Sequence, residues 1–406
     1  MNFDYDAIVI GAGAAGLMAA IHAAERGRRV LLLEKGKKPG VKILMSGGTR
    51  CNITHDCDAR GIVAAFGPNG KFLHSALAAF GPEAVLDFFH AEGVLTKVED
   101  TGKVFPVSDR AVDVLDALLR RLQRSGATLS LNEPVLHLAP GFEVRTSLRT
   151  LTCDKLLITT GGRSYPGCGT TGDGYAWAAA FGHTILPQRP ALVPLTVNAP
   201  WTADLRGITL PDVNLKVIDD GRVLDSRRGS MLFAHFGLTG PAPLDVSRAV
   251  SGHAKPASLI LELDLLPTVP EPAWDEFLRT ESIASGKKQL AVVLAEKLPR
   301  RICDQLLALI GQPMDRKAAA LNKADRASLV QHVKRLRLPL RGTLGFEKAE
   351  VTAGGVSLAE VDSRTMRSKL VENLYFAGEV LDLDGWIGGY NFQSAWSTGW
   401  LAGREL

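Results

Sequence analysis

Two clusters, one at each end of the 406-residue chain, carry residue types and spacings that do chemistry. The first is Gly11-Ala12-Gly13-Ala14-Ala15-Gly16. It follows an apolar run, 5–10, and opens an Ala-rich stretch reaching about residue 26. A second apolar run, 29–33, ends in Glu34, 18 positions after Gly16. Strand, tight turn, helix and a strand ending in an acid form a dinucleotide-binding β-α-β unit. Gly11 permits the turn, Gly13 lets a pyrophosphate approach the backbone, and Gly16 lets helix and strand pack closely. The helix start at Ala14 and Ala15 offers free N–H groups and the positive dipole end to phosphate. Glu34 can accept both ribose hydroxyl hydrogen bonds, and an acid there disfavours a 2′-phosphate. Lys35 beside it joins the expected contact set. The motif alone does not choose between FAD and NAD.

A second Gly-rich polar stretch, 40–54, reads as a loop that wraps a cofactor. Its Lys42 and Arg50 can meet phosphate or flavin oxygens, with Ser46, Gly47, Gly48 and Asn52 in close contact. Cys51 is either a redox or acid group facing a flavin or a small buried residue. Residues 155–159 read as a strand ending in Thr160-Gly161-Gly162, a further backbone approach. Near the C-terminus, 371–378 reads as a short buried strand running into Gly378-Glu379. Gly388-Gly389-Tyr390-Asn391-Phe392-Gln393 then opens a helix reaching about residue 402. This arrangement suits the far half of FAD. Glu379 can hold a ribityl hydroxyl, and the helix N-terminus can face the flavin N1/C2 carbonyl edge, where negative charge develops on reduction. A helix terminus contributes about 0.3–1 kcal/mol when exposed and up to about 2 when partly buried. Residues 352–356 read as one more loop of close backbone approach. The two ends together make the expected dinucleotide a non-covalently held FAD.

Longer runs carry a family likeness. The chain resembles the BaiN/YhiN-like, or aminoacetone-oxidase-like, NAD(P)/FAD-dependent oxidoreductases of the glutathione-reductase-type FAD superfamily. The resemblance rests on residues 10–16, Ser46-Gly47-Gly48-Thr49-Arg50-Cys51-Asn52, Val104-Phe105-Pro106, 161–166 and Gly172-Asp173-Gly174. It continues through 232–241, 351–356, Thr365-Met366 and 376–393. Thr49 departs from the family's usual third Gly and His55 from its frequent Asn. The resemblance implies an FAD domain split by an insertion and, in some relatives, reduction of a uracil C5–C6 bond to dihydrouridine in ribosomal RNA.

The elements between the clusters agree with a split domain. Residues 71–92 and 110–124 have helical spacing, 127–152 alternate as strands, and 167–174 lead into a helix. Pro187, Pro190 and Pro194 mark a boundary. Residues 192–266 are β-rich, 267–337 helical, and 340–351 read as a strand returning the chain. The fold class is therefore α/β. A glutathione-reductase-type FAD-binding Rossmann-like domain (1–190 and 340–406) is interrupted by a β-barrel-like domain (191–266) and a small basic helical domain (267–339).

Composition sets limits on function. Hydrophobic residues make up 46% and charged residues 22% of the chain, ordinary for a globular protein. No apolar stretch spans a bilayer and no secretory signal is visible, so no membrane association and a cytoplasmic location are expected. Five scattered cysteines imply no disulfide framework and no metal cluster. The formal net charge of +4 is uneven: 287–341 hold 13 Lys/Arg against four acids, a candidate contact surface for ribosomal RNA. No second GxGxxG marks an NAD(P)H domain, so NAD(P)H as donor would visit the flavin transiently or dock on the insertion. Candidate substrate-contacting or acid groups are His235, Cys51 and Tyr390, with Arg163, Tyr165 and Asp173 as further polar groups for the flavin cavity and Asp173 also an expected cofactor contact. Three functions stay open: an NAD(P)H-driven reductase of an unsaturated bond with uridine in ribosomal RNA as a substrate, a small-molecule oxidase or dehydrogenase such as an amine oxidase, and a non-catalytic FAD-bound binding or sensor protein.

Overall fold

Ala7, Ile8, Val9 and Ile10 are apolar on both faces, as a parallel strand covered on both sides requires. In the computed structural model, which describes residues 3–406, they are at most 5% exposed and sit mid-sheet. Tyr5–Ile10 pairs in parallel with Val30–Leu33 on one side and Thr150–Ile158 on the other, and Leu374–Phe376 extends the parallel run. Thr128–Ser130 adds an outer strand beyond Val30–Leu33. The registers Ile10↔Leu33, Ile10↔Ile158 and Phe376↔Ile158 bring the carboxyl ends of these strands to one edge. In open α/β sheets that edge is where ligands bind. Thr159 Oγ1 donates toward the carbonyls of Ile10 and Gly11, at 3.0 and 2.9 Å, and locks the strand end to the turn.

The first helix, Ala14–Glu25, and the last, Tyr390–Glu405, meet backbone to backbone. A Cβ on Gly399 would stand 2.3 Å from the Ala15 carbonyl oxygen, and one on Gly403 would stand 2.5 Å from that of Ala19. Trp396, fully buried, donates its indole N–H to the Ile53 carbonyl at 3.0 Å and fixes the helix rotation.

Two stretches expected as loops are regular structure. Residues 41–49 form a helix, Val41–Thr49, broken at Ser46 and turned left-handed at Gly47 and Gly48. Residues 351–356 form a wholly buried strand, Val351–Val356. Its Gly354 and Gly355 are required by neighbouring backbone: the Pro187 and Val380 carbonyl oxygens lie 2.3 and 2.6 Å from where their Cβ atoms would stand.

Residues Ala191–Lys348 form a second compact unit. Its six-stranded barrel runs Leu195–Val197, Gly237–Thr239, Arg222–Ala234, Thr209–Asp219, Ile260–Asp264 and Leu336–Thr343, which closes on the first. The closing strand lies within the span expected to be helical and returning to the first unit. Its Leu336, Leu338 and Leu340 point inward while Arg337, Pro339 and Arg341 are exposed. A helix, Pro241–Ser251, stands where only strands were expected. The helices of 271–334 share one apolar cluster with the barrel, including Trp274, Leu294, Leu306 and Leu329. No helix among the described residues is long and apolar enough to cross a membrane.

Part of the positive excess of 287–341 is answered by acids outside it. Arg326 pairs with Asp275, Arg335 with Glu271 and Arg337 with Glu262. Lys334 is 8% exposed. It reaches Asp264 at 2.7 Å and donates to the carbonyls of Leu266 and Val269. It holds the helix end against the barrel and is not available to a phosphate.

Gly399→Val forces a branched side chain against the Ala15 carbonyl. It is expected to destabilise the protein by about 1–3 kcal/mol, seen as a lower urea midpoint for flavin-domain unfolding. An unshifted midpoint contradicts the packing.

Candidate active site

The three motif glycines do different work. Gly11 has φ +105°, and a Cβ there would lie 2.7 Å from the Thr159 carbonyl oxygen. Gly16 faces the Gly11 carbonyl and Thr159 Oγ1, at 1.9 and 2.6 Å from its would-be Cβ. Gly13 has no atom within 4 Å of that position. Only Gly13 therefore opens onto free space, and the helix behind it has no side-chain cap. Its first N–H groups have no intrahelical partner, which makes an anion cradle. Glu34 is oriented toward this turn: Oε2 accepts the Ala12 N–H at 3.0 Å and Oε1 the Gly36 N–H at 2.7 Å. Lys35 reaches Asp173 and Thr171 Oγ1, both at 2.5 Å, and ties the strand end to the helix Asp173–Ala180.

Further along the sheet edge, chain segments more than 300 positions apart share one polar cluster. Lys42 Nζ donates to Glu379 Oε2 at 2.8 Å and to Ser164 Oγ at 2.7 Å. Ser164 Oγ donates to Glu379 Oε1 at 2.7 Å, and that oxygen also accepts the Thr352 N–H at 2.9 Å. Gly162 leaves room for this group, since its Cβ would lie 2.3 Å from Thr352 Oγ1 and 2.8 Å from Glu379 Oε1. Lys42 and Glu379 were expected to meet the cofactor separately; they meet each other. Ser164 and Thr352 were not among the expected site residues. The runs 161–166 and 351–356 that contain them were the only signal in the sequence.

Three buried polar atoms beside these elements have no hydrogen-bond partner among the described residues: Asn52 Oδ1, Thr160 Oγ1 and Tyr175 OH. Asn52 Oδ1 lies 2.9 Å from where Gly389 would carry a Cβ, and Thr160 Oγ1 lies 2.2 Å from that position on Gly174. A buried polar group left unpaired costs about 1–3 kcal/mol. Three along one edge are what a polar ligand between them would satisfy. Burial also raises the Tyr175 phenol well above its ordinary range, so it acts as a neutral donor.

The last helix presents a second uncapped N-terminus. Gly389, at φ +97°, precedes Tyr390, with no capping side chain and no acid in the first turn. His55 donates from Nδ1 to the Gly388 carbonyl at 3.0 Å and stacks on Tyr390, with ring centroids 4.5 Å apart. The residue that departs from the family pattern thus braces the helix entrance. Asn391 is turned away from the helix mouth. Its amide accepts the Gly385 N–H at 2.8 Å and donates to the Gly385 and Trp386 carbonyls, shaping the preceding loop. Phe392 stacks on Trp396, with ring centroids 5.5 Å apart. Gly378, at φ +76°, gives room to Ala15 of the first helix, 2.9 Å from its would-be Cβ.

Other expected site residues fall elsewhere. Arg50 reaches Glu99 at 2.6 Å and Asp109 at 3.5 Å, with its guanidinium 3.9 Å above the Phe105 ring. It is engaged by acids rather than by cofactor oxygens. Ser46 Oγ donates to the Ile43 carbonyl at the helix break, Gly48 is open, and Gly161 at φ +73° meets only Thr170. Cys51 is wholly buried, and burial pushes its thiol up to about 12. It is a protonated core residue at neutral pH, not a thiolate facing a flavin. His235 is exposed in the second unit, at the tip of the hairpin between Arg222–Ala234 and Gly237–Thr239, against Phe236. Among the described residues no His/Cys/Asp/Glu group has metal-ligand geometry.

An anion cradle at Gly13, a ribose-type carboxylate at Glu34, unpaired polar atoms along the edge and a second helix N-terminus at Tyr390 together fit FAD. Fold and site define an FAD-dependent oxidoreductase. The chain belongs to the family described as HI0933-like protein Rossmann domain, whose model matches residues 5–405, in agreement with the likeness its motifs carry. It is 39% identical to "Ribosomal RNA dihydrouridine synthase" of Escherichia coli, over 99% of this chain and 98% of that protein. It is 32% identical to "3-dehydro-bile acid delta(4,6)-reductase" of Clostridium scindens, over 98% and 97%. Among solved structures, a 3-ketosteroid-delta4-(5alpha)-dehydrogenase from Rhodococcus jostii RHA1 aligns with a TM-score of 0.51 at 15% identity, covering 100% of this chain and 97% of that one, a likeness of fold.

Gly13→Leu places a side chain at the one motif glycine whose Cβ position meets no protein atom within 4 Å. The variant is expected to keep its melting behaviour as apoprotein yet purify with at least tenfold less flavin. Normal flavin content contradicts the placement of the cradle.

Proposed function

We propose that the chain is an NAD(P)H-driven reductase that converts uridine to dihydrouridine in ribosomal RNA. One reduced nicotinamide and one proton are consumed, and the uracil C5–C6 bond gains a hydride and a proton. FAD when bound accepts a hydride and returns it to an electron-poor carbon. The chain's own residues bind and polarise. The cradle at Gly13 and the carboxylate of Glu34 hold the nucleotide end. The Lys42–Glu379–Ser164 cluster presents fixed polar atoms further along, and the uncapped N-terminus at Tyr390 stabilises negative charge. The observation that carries the reading is the 39% identity, over nearly the full length of both chains, to the E. coli protein named as a ribosomal RNA dihydrouridine synthase. Exposed cations of the barrel unit support it, since RNA is held largely through its phosphates. Five free cysteines suit the reducing cytoplasm where ribosomes are made.

The relative from Clostridium scindens favours a second reading, in which a small conjugated ketone is reduced. The two readings share their chemistry: an electron-poor C=C bond next to a carbonyl takes up a hydride. An amine oxidase does not share it.

Mass mapping of ribosomal RNA from cells with and without the protein separates the readings. We expect one or a few uridines to gain two mass units only when the protein is present. An identical map in both strains contradicts the RNA reading and leaves the small-ketone reading to be tested by NAD(P)H consumption.

A further inference from the structure

We propose that the barrel unit carries a groove for single-stranded RNA, with Trp201 as the platform for one base and Arg335, Arg337 and Arg341 as successive phosphate contacts. This assignment rests on the RNA reading above and says where, within the second unit, the strand is gripped.

A cavity of about 340 Å3 lies between the segment Pro200–Leu205, the end of the helix Lys323–Lys334 and the barrel's closing strand. Its polar lining comes from Asn198, Gln331, His332, Arg335 and Arg337, and its aromatic wall from Trp201. Trp201 is half-buried against the barrel core, and no other aromatic ring stacks on it among the described residues. His332 donates from Nδ1 to the Ser328 carbonyl at 2.8 Å, which leaves Nε2 as an acceptor. Gln331 is exposed and adds an amide. A π-face, an amide and an acceptor nitrogen are the groups that hold an unpaired base.

The cations are arranged for the backbone attached to such a base. Along the closing strand the exposed side alternates Arg337, Pro339, Arg341, with Arg335 just before it. Positions two apart on a strand are about 6.7 Å apart, close to one step between phosphates of an extended RNA strand, so Arg337 and Arg341, four apart, are about two such steps apart. Arg341 has no carboxylate partner among the described residues. Arg335 shares an exposed pair with Glu271, at 59% and 45% side-chain exposure, which contributes little and exchanges readily. Arg337 shares Glu262 with Lys216, so two cations face one acid and a positive charge remains. A free dinucleotide would use the cavity with Arg335 and Arg337 but would not reach on to Arg341, which lies beyond the cavity on the same strand and favours an extended strand as occupant.

The test measures fluorescence anisotropy of a labelled single-stranded, uridine-containing 12-mer RNA with the flavin-loaded protein over a salt series. Arg335→Gln/Arg341→Gln is expected to weaken binding about tenfold and to lower the slope of log K against log salt by about 1.4, at about 0.7 per lost phosphate contact. Trp201→Leu is expected to weaken binding about tenfold with an unchanged slope, and Trp201→Phe to retain most of it. Lys287→Gln/Lys323→Gln, exposed cations on other helical segments, should stay within twofold of wild type. Excess NADPH should not displace the oligonucleotide. Displacement by NADPH overturns the strand assignment in favour of a dinucleotide. If wild type binds RNA and forms dihydrouridine while the groove variants bind equally well, the groove is wrong and the RNA reading stands. If wild type binds no RNA and leaves the dihydrouridine map unchanged, both fall.

Discussion

The contact on which the flavin unit depends is the one between its first and last helices. Gly399 and Gly403 meet the backbone at Ala15 and Ala19, so the helices run side by side in the same direction. Both N-termini therefore point toward the same end of the unit. The contact lies one residue into the first helix and nine into the last, a stagger of about 12 Å at 1.5 Å per residue. Two uncapped N-termini offset by that length suit a ligand with a pyrophosphate at one end and a charge-accepting ring at the other. Everything else on the edge is placed relative to this pair. Gly378 lets the last parallel strand pass over Ala15, and Thr159 ties the central strand to the turn.

The polar atoms along this edge divide into two classes. Lys42, Ser164, Thr352 and Glu379 satisfy one another without a ligand and form a rigid floor. Asn52 Oδ1, Thr160 Oγ1 and Tyr175 OH are buried with no partner. The second class lies where a bound polar ligand would satisfy it, and the first is complete without one.

Much of this was legible from residue order because it is local. Gly11, Gly16 and Glu34 act within one β-α-β unit, and their spacing alone implies their roles. What was misread depends on partners distant in sequence. Arg50 looked available because nothing in 40–54 hints at Glu99 and Asp109. Gly354 and Gly355 looked like a ligand loop because a glycine needed by a neighbouring carbonyl and one needed by a ligand look alike in sequence. Four of the cations in 287–341 have partners that the segment itself does not show, because Glu262, Asp264, Glu271 and Asp275 lie upstream. Barrel closure was missed for a related reason. The leucine–arginine alternation of 336–341 is a strand signal, but it follows directly on a helix and pairs with residues 73 to 79 and more than 140 positions earlier. The Gly399–Gly403 spacing was present in the sequence, and its meaning required Ala15 and Ala19 opposite.

The proposed reaction passes electrons from a nicotinamide through this flavin site into a uridine. An anaerobic two-step titration tests it most directly. NAD(P)H should bleach the flavin of the purified protein. Unmodified ribosomal RNA added after the excess nicotinamide is removed should then restore the yellow colour, with one dihydrouridine formed per flavin reoxidised. A reduced flavin that stays bleached with RNA, but regains its colour with a conjugated ketone, would contradict the claim.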